Sequence, residues 1–507
     1  MEHRFLDFRG VSESREQIFD LGKEVGRILT TMRSAVNESK PINRLPPEMF
    51  VRILEFRKKE RELIAATHVC ARWRTILTST PSLWTKVDFE DTFRAALYLE
   101  RSKAALIDVI VGRTRSYIVG PEGAFLGAIP WVARMKSLHI QAEEEQIKTI
   151  ATRLCHKTPK LQHLTLKGQP RQYQSIMSMG NISSGGGAIY VPPDFLGRHA
   201  PLLRSITFSA ISPSVVFSFP LPNLTHIDWI AENAFVVIEE LLDLFVSSPL
   251  LEVIKMHVKV RRTRMYEPLR EVTLKKLHKL DWTDSEGLIS LIPCLTAPEL
   301  NDLAVRITRT PQPQAVTLST ILPPHASNFP LLVEPSGLEY VYQHGTRLCR
   351  FRYDKPAFLF IRELSKTRTI DNIAGRWLSP SAPISLAQAE TLTVEASGGC
   401  PPLEDIPIRQ FENLQILSLV GETDSLVPLV QPNRSASGSF ISIPCPALSE
   451  IRIAPKDNYF QLDLLTQVLR ERREAGYGVR TVRIFGESRC LPSQVKELRG
   501  TVDELIV

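Results

Sequence analysis

The sequence predicts an α/β protein: a small all-α unit of three helices near the N-terminus, then an irregular array of helix–strand repeats whose strands form a parallel sheet. Three observations carry that expectation. Short amphipathic segments punctuated by proline fill residues 41–88. An apolar pattern Φ-x-x-Φ-x-Φ, with Φ apolar, then recurs from Met135/Leu138/Ile140 to Val479/Val482/Ile484. Proline stands two residues before six of these triplets, at Pro159, Pro201, Pro222, Pro249, Pro298 and Pro446. Chance placement at this proline content would give roughly 0.8.

Hydrophobic residues make up 43% and charged residues 23%, the balance of a globular chain and not a disordered one. A net charge of +7, with bases and acids interleaved, does not argue for a nucleic-acid partner. The longest apolar stretch, Ala234 to Val246, is broken by Glu239, Glu240 and Asp243, so no membrane span is expected. The opening residues lack the apolar core of a signal peptide. Cysteines at 70, 155, 294, 349, 400, 445 and 490 form no CxxC pair. Neither a zinc site nor a disulfide framework is expected; buried thiols in the reducing cytoplasm or nucleus are.

Within residues 1–40, Ser14-Arg15-Glu16-Gln17 reads as a capping box. Ile18, Leu21, Val25, Ile28 and Met32 follow in steps of 3 and 4, which predicts an amphipathic helix over about 15–36, ended by Pro41. Such a helix either pairs with a partner as a short coiled coil or docks on its own chain; so few heptads favour docking.

In residues 41–88, Pro46 and Pro47 suit a helix start, and Glu48 suits its positive end. Met49, Ile53 and Phe56 share one face, with Phe50 and Leu54 alongside. A second helix is expected over 59–67, and a third around Val69, Trp73, Ile76 and Leu77. So short a bundle cannot cover all its apolar side chains, and the surplus reads as a docking surface. The charged run Arg57 to Arg61 reads as a solvated helix face more than a basic targeting patch.

The order Leu45-Pro46-Pro47-Glu48, Ile53-Leu54, Val69-Cys70-Ala71-Arg72-Trp73-Arg74 and Thr80-Pro81-Ser82-Leu83-Trp84 resembles the F-box, in a variant similar to that of fungal F-box proteins. The charged link Glu55 to Leu63 departs from the family pattern. The resemblance implies docking on the Skp-type adaptor of a cullin–RING ubiquitin ligase. The implied contact set is Leu45, Pro46, Met49, Ile53, Leu54, Val69, Cys70 and Trp73; Trp73, Ile53 and Val69 could equally hold the helices together.

The triplets fill residues 89–305 and 389–507, and residues 306–388 interrupt them as an irregular insertion or divergent repeats. Within the interruption, residues 338–342, 348–353 and 357–361 read as strands. Helices are expected over 145–156, 233–247, 285–295 and 461–474, the third with a capping box from Thr283 to Glu286. Helix, proline and short strand in succession look like an irregular leucine-rich repeat array. In parallel strands the residues between the second and third Φ point away from the core: His139, Thr165, Thr207, Asp228, Lys255, Asp281, Ala304, Thr393, Ser418, Arg452 and Arg483. Asp228, Lys255 and Asp281 are expected as a charge ladder. That ladder is either solvated or, with Arg261 and Arg262, a strip for a protein substrate. Trp229 and Trp282 are expected in the core.

The glycine runs 183–188 and 435–439 read as loops, the first without a P-loop lysine. No GxSxG, HExxH or Walker sequence occurs. The expectation is a non-catalytic chain without cofactor or metal: a substrate-recruiting F-box subunit of an SCF-type ligase, with an unknown protein substrate and no nucleic-acid or membrane partner. The alternative is an interaction scaffold, or an F-box protein acting outside a ligase.

Overall fold

The computed structural model describes residues 8–57, 60–112, 120–169, 189–190, 192, 194–212, 219–261, 263, 268–284, 291–308, 322–323, 325, 328–333, 335–343, 346–354, 358–364, 384–397, 406, 408–435, 438–455, 462–485 and 492–507. The chain divides into Met1–Lys136 and Ser137–Val507. Residues 89–136, read in the sequence as the start of the array, group with the first unit.

The first unit begins with helix α1, Phe8–Ser39. It extends beyond the expected 15–36 at both ends, so Ser14 lies inside the helix and does not cap it. Pro41 ends it as expected and starts a 3-10 turn, Pro41–Arg44. Among the described residues nothing covers the apolar face of α1: Ile18, Leu21, Val25, Ile28 and Met32 are 47% to 71% exposed. Three short helices follow, α2 Pro47–Arg57, α3 Glu60–Thr67 and α4 Ala71–Ser79. The third, expected to include Val69, starts only at Ala71, because Cys70 is extended (φ −157°, ψ 170°) and sits at its N-cap. A 3-10 turn, Pro81–Trp84, closes the bundle. Trp84 is fully buried, donates Nε1–H to Leu77 O at 2.8 Å and meets the Tyr98 ring edge-on at 5.0 Å. It thereby joins the bundle to α5, Thr92–Ser102, whose Asp91 cap accepts from the Arg94 N–H at 3.0 Å. Strands β1 Lys86–Asp88 and β2 Ile107–Val111 pair in parallel across α5, and α6 Pro121–Ala128 follows.

The second unit begins within β3 Met135–Glu143, and β3, β4 His163–Gln169, β5 Ser205–Ser209, β6 His226–Val237, β7 Val253–Arg261, β8 Lys279–Asp284 and β9 Asp302–Thr308 lie side by side in chain order. Each is parallel to the next. The interrupted region forms an antiparallel meander of β10 Gly337–Gln343, β11 Thr346–Arg352 and β12 Phe358–Leu364. It is inserted in reverse: β12 pairs with β9, and β10 pairs with β13 Thr391–Ser397, both in parallel. A three-strand meander returns the chain to its original direction, so the parallel sheet passes through the interruption. Strands β14 Ile416–Gly421, β15 Glu450–Ala454, β16 Thr481–Ile484 and β17 Glu504–Ile506 continue it in parallel.

The triplets are the buried side of this sheet. Every Φ residue from Met135/Leu138/Ile140 to Val479/Val482/Ile484 is at most 4% exposed, Trp229 and Trp282 included. The recurrent prolines have one job. Each occupies the second position of a four-residue turn in which the first Φ residue donates its N–H to the carbonyl three residues back. The turns Thr158→Leu161, Ala200→Leu203, Leu221→Leu224, Ser248→Leu251, Ala297→Leu300 and Cys445→Leu448 all close at 3.1 or 3.2 Å. Proline presets φ there and needs no N–H. Leu274→Leu277 and Leu386→Ala389 close the same turn without it.

Among the described residues, helices intervene at α7 Glu144–Arg153, α8 Ile238–Ser247, α9 Leu462–Glu474 and α10 Pro492–Arg499. The helix expected over 233–247 begins at 238, because residues 233–237 extend strand β6 across a register shift after Ala231. Thr283, the expected cap, lies within strand β8, while Ser285, Glu286 and the glycines 185–187 lie outside the described residues; Ile292–Cys294 is a 3-10 turn.

Arg472 of α9 is fully buried. It donates Nη1–H to Val430 O (3.0 Å) and Pro444 O (2.7 Å), and Nη2–H to Cys445 O (2.8 Å). It thus fixes the turn before β15 from the helix behind it. Cys445 has φ 48°, and burial pushes its thiol up to about 12. Cys155 is exposed, contrary to the expectation of buried thiols. Maleimide at pH 8 is therefore expected to label Cys155 quickly and to spare Cys445, which stays protonated until unfolding. Peptide mass spectrometry reads both; equal labelling would contradict the burial.

Candidate docking surface

The bundle of α2, α3 and α4 has a minimal core. Phe50, Ala66 and Leu77 are buried, and Leu54, Leu63, Trp73, Ile76 and Leu83 pack on them while half-buried. The Phe50 and Trp73 rings lie 4.5 Å apart, tilted by 55°. Trp73 Nε1–H donates to Asn43 Oδ1, and Asn43 Nδ2–H donates to Asn37 O at 2.6 Å. These bonds tie the turn before α2 to both α4 and the end of α1. Arg72 Nη2–H donates to Leu45 O at 3.1 Å, and Ser82 Oγ–H to Glu55 Oε1 at 2.9 Å.

The eight residues singled out in the sequence divide by this geometry. Pro46, Met49 (51%), Ile53 (45%) and Val69 (57%) are exposed. Leu45 and Cys70 are half-buried at the starts of α2 and α4. Leu54 and Trp73 pack inward. Of the three residues that could equally have held the helices together, only Trp73 does so. Phe56, 91% exposed, continues the Met49–Ile53 face by almost another turn. Its i+7 spacing from Met49 was the signal that placed it there. Four large apolar side chains stand in water on a bundle with three buried core residues, a ratio that suits docking better than independence.

The second candidate is the outward face of the parallel sheet. His139, Thr165, Thr207, Asp228, Lys255, Asp281 and Ala304 are consecutive register partners. Phe360, Arg350 and Glu339 of the meander come next, followed by Thr393, Ser418, Arg452 and Arg483. The column is thus continuous, with three members the triplet pattern missed. All its described side chains are exposed or half-buried except Ala304. The charge ladder is corrected: Asp281 pairs with Arg306 one strand over, and Lys279 with Asp302. Neither Asp228 nor Lys255 has an ion-pair partner among the described residues. At the far end, Glu450 is shared by Arg452 (2.8 Å) and Arg483 (2.7 Å), and the Arg452 hydrogen bond holds its carboxyl below the usual range. Arg261 is exposed on the same face of β7 as Lys255, about 20 Å along the strand; Arg262 lies outside the described residues.

No helix among the described residues is long and apolar enough to cross a membrane. A family model of an F-box-like domain matches residues 42–90, about a tenth of the chain, and covers the bundle from the turn before α2 to the residues after β1. No curated protein matches the chain.

Proposed function

We propose that this chain is a substrate-recruiting subunit of an SCF-type ubiquitin ligase. The F-box-like domain docks on a Skp-type adaptor, and through it on a cullin–RING ligase. The second unit acts as an irregular leucine-rich-repeat-like solenoid whose outward face, with Asp228, Lys255, Asp281 and Arg261, takes a protein substrate. The observation that carries the reading is the exposure of the apolar side chains Met49, Ile53 and Val69 on the bundle where the F-box-like match lies. The chain itself does no chemistry in this scheme. It holds a substrate near a ligase bound elsewhere and so raises its effective concentration.

Co-expression of the full chain with a Skp-type adaptor is expected to yield a stable complex, and Leu45→Asp with Pro46→Ala to abolish it. Retention of the complex by that double variant would remove the docking assignment. Ubiquitin transfer by the assembled ligase to proteins captured on the second unit is the expected further result. An adaptor complex that never joins a cullin would reject the ligase role.

A further inference from the structure

Helix α1 carries an exposed apolar seam that no other described residue covers. Ile18, Leu21, Val25, Ile28 and Met32 are spaced 3, 4, 3 and 4 apart, and Leu29 and Val36 widen the seam toward its C-terminal end. All seven are between 47% and 71% exposed. A 3.5-residue repeat is matched along its length only by another helix of the same period. At 32 residues α1 spans about 48 Å. The longest other helix among the described residues, α9, has 13 residues, and its apolar face is already buried.

We propose that the occupant is a second copy of this chain, and that two α1 helices pair in parallel as a coiled coil. Ile18 and Val25 stand at the positions where β-branched side chains favour two parallel strands, and Leu21 stands at the position where leucine does. The flanks do not oppose self-pairing. In a parallel, in-register pair Gln17 faces Gly22, Glu24 faces Leu29 and Thr31 faces Val36, so no like charges meet across the seam. The helix charges are also balanced within the helix. From residue 15 to residue 39, Arg15, Lys23, Arg27 and Arg33 offset Glu16, Asp20, Glu24 and Glu38. Lys23 pairs with Asp20 at 3.2 Å, and Arg27 pairs with Glu24. This neutrality gives no attraction to an anionic lipid surface, the other common home of an amphipathic helix. Pairing sets two F-box-like bundles on one assembly, each directly after the coiled coil.

Sedimentation equilibrium of the full chain without adaptor is expected to give twice the 57.2 kDa of one chain at micromolar concentration. Leu21→Asp with Ile28→Asp is expected to give the single-chain mass with an unchanged thermal melt, because both side chains are exposed, at 65% and 47%. Lys23→Gln with Arg27→Gln, on the opposite face, is expected to keep the double mass. A single-chain mass for the unmodified protein at tens of micromolar overturns the proposal, as does a double mass for the aspartate variant. Adaptor binding is not needed for either readout, so failure here leaves the docking assignment untouched.

Discussion

Replacement of Arg472 by leucine is expected to cost on the order of 3–5 kcal/mol of stability. The guanidinium is fully buried and donates to three carbonyls, at Val430, Pro444 and Cys445. No carboxylate accompanies it among the described residues, so its burial is offset by those carbonyls alone. Leucine would remove the bonds to the buried Val430 and Pro444 carbonyls, each costing about 1–3 kcal/mol when unpaired, while Cys445 O keeps the Leu448 N–H at 3.1 Å. The turn holds Cys445 in the left-handed region immediately before Pro446 and β15, so its loss would loosen the start of that strand. Arg470→Leu serves as the comparison. Arg470 is exposed and pairs with exposed Glu497 at 3.1 Å, a bond worth at most about 1 kcal/mol. Urea unfolding of the two variants beside the unmodified chain reads the difference; equal midpoints would mean that Arg472 is not a structural tie.

Much of this architecture could be read from the sequence, for reasons that differ by element. The triplets were legible because strand side chains alternate and one face is wholly buried, so apolar residues had to recur with period two. The prolines were legible because a turn of fixed geometry precedes each strand. The outward column followed from the same alternation and holds across the meander. The reversed order of β10, β11 and β12 was not legible, because which strand pairs with which is decided across long stretches of chain. Ion-pair choice was equally hidden: Asp281 reaches diagonally to Arg306 and not sideways to Lys255, a matter of side-chain reach. Arg472 looks solvated within Arg470-Glu471-Arg472-Arg473, yet it falls seven residues after buried Leu465 and three after buried Leu469, on the inward face of α9. The helical period held the clue, and residue type hid it. In the bundle, the sequence grouped Leu54 and Trp73 with Met49 and Ile53, because spacing on helices this short does not separate the side that faces the core from the side that faces water.

That separation makes the docking claim measurable. Met49→Asp with Ile53→Asp, and separately Val69→Asp, alter side chains that stand in solvent and contribute little to the bundle core. Titration of each variant against a purified Skp-type adaptor by calorimetry, with thermal melts alongside, tests the face directly. The expected result is a loss of affinity of at least about 100-fold, the scale of a few apolar anchors in an interface, with the melting temperature unchanged. Affinity equal to that of the unmodified chain in both variants would contradict docking through this face.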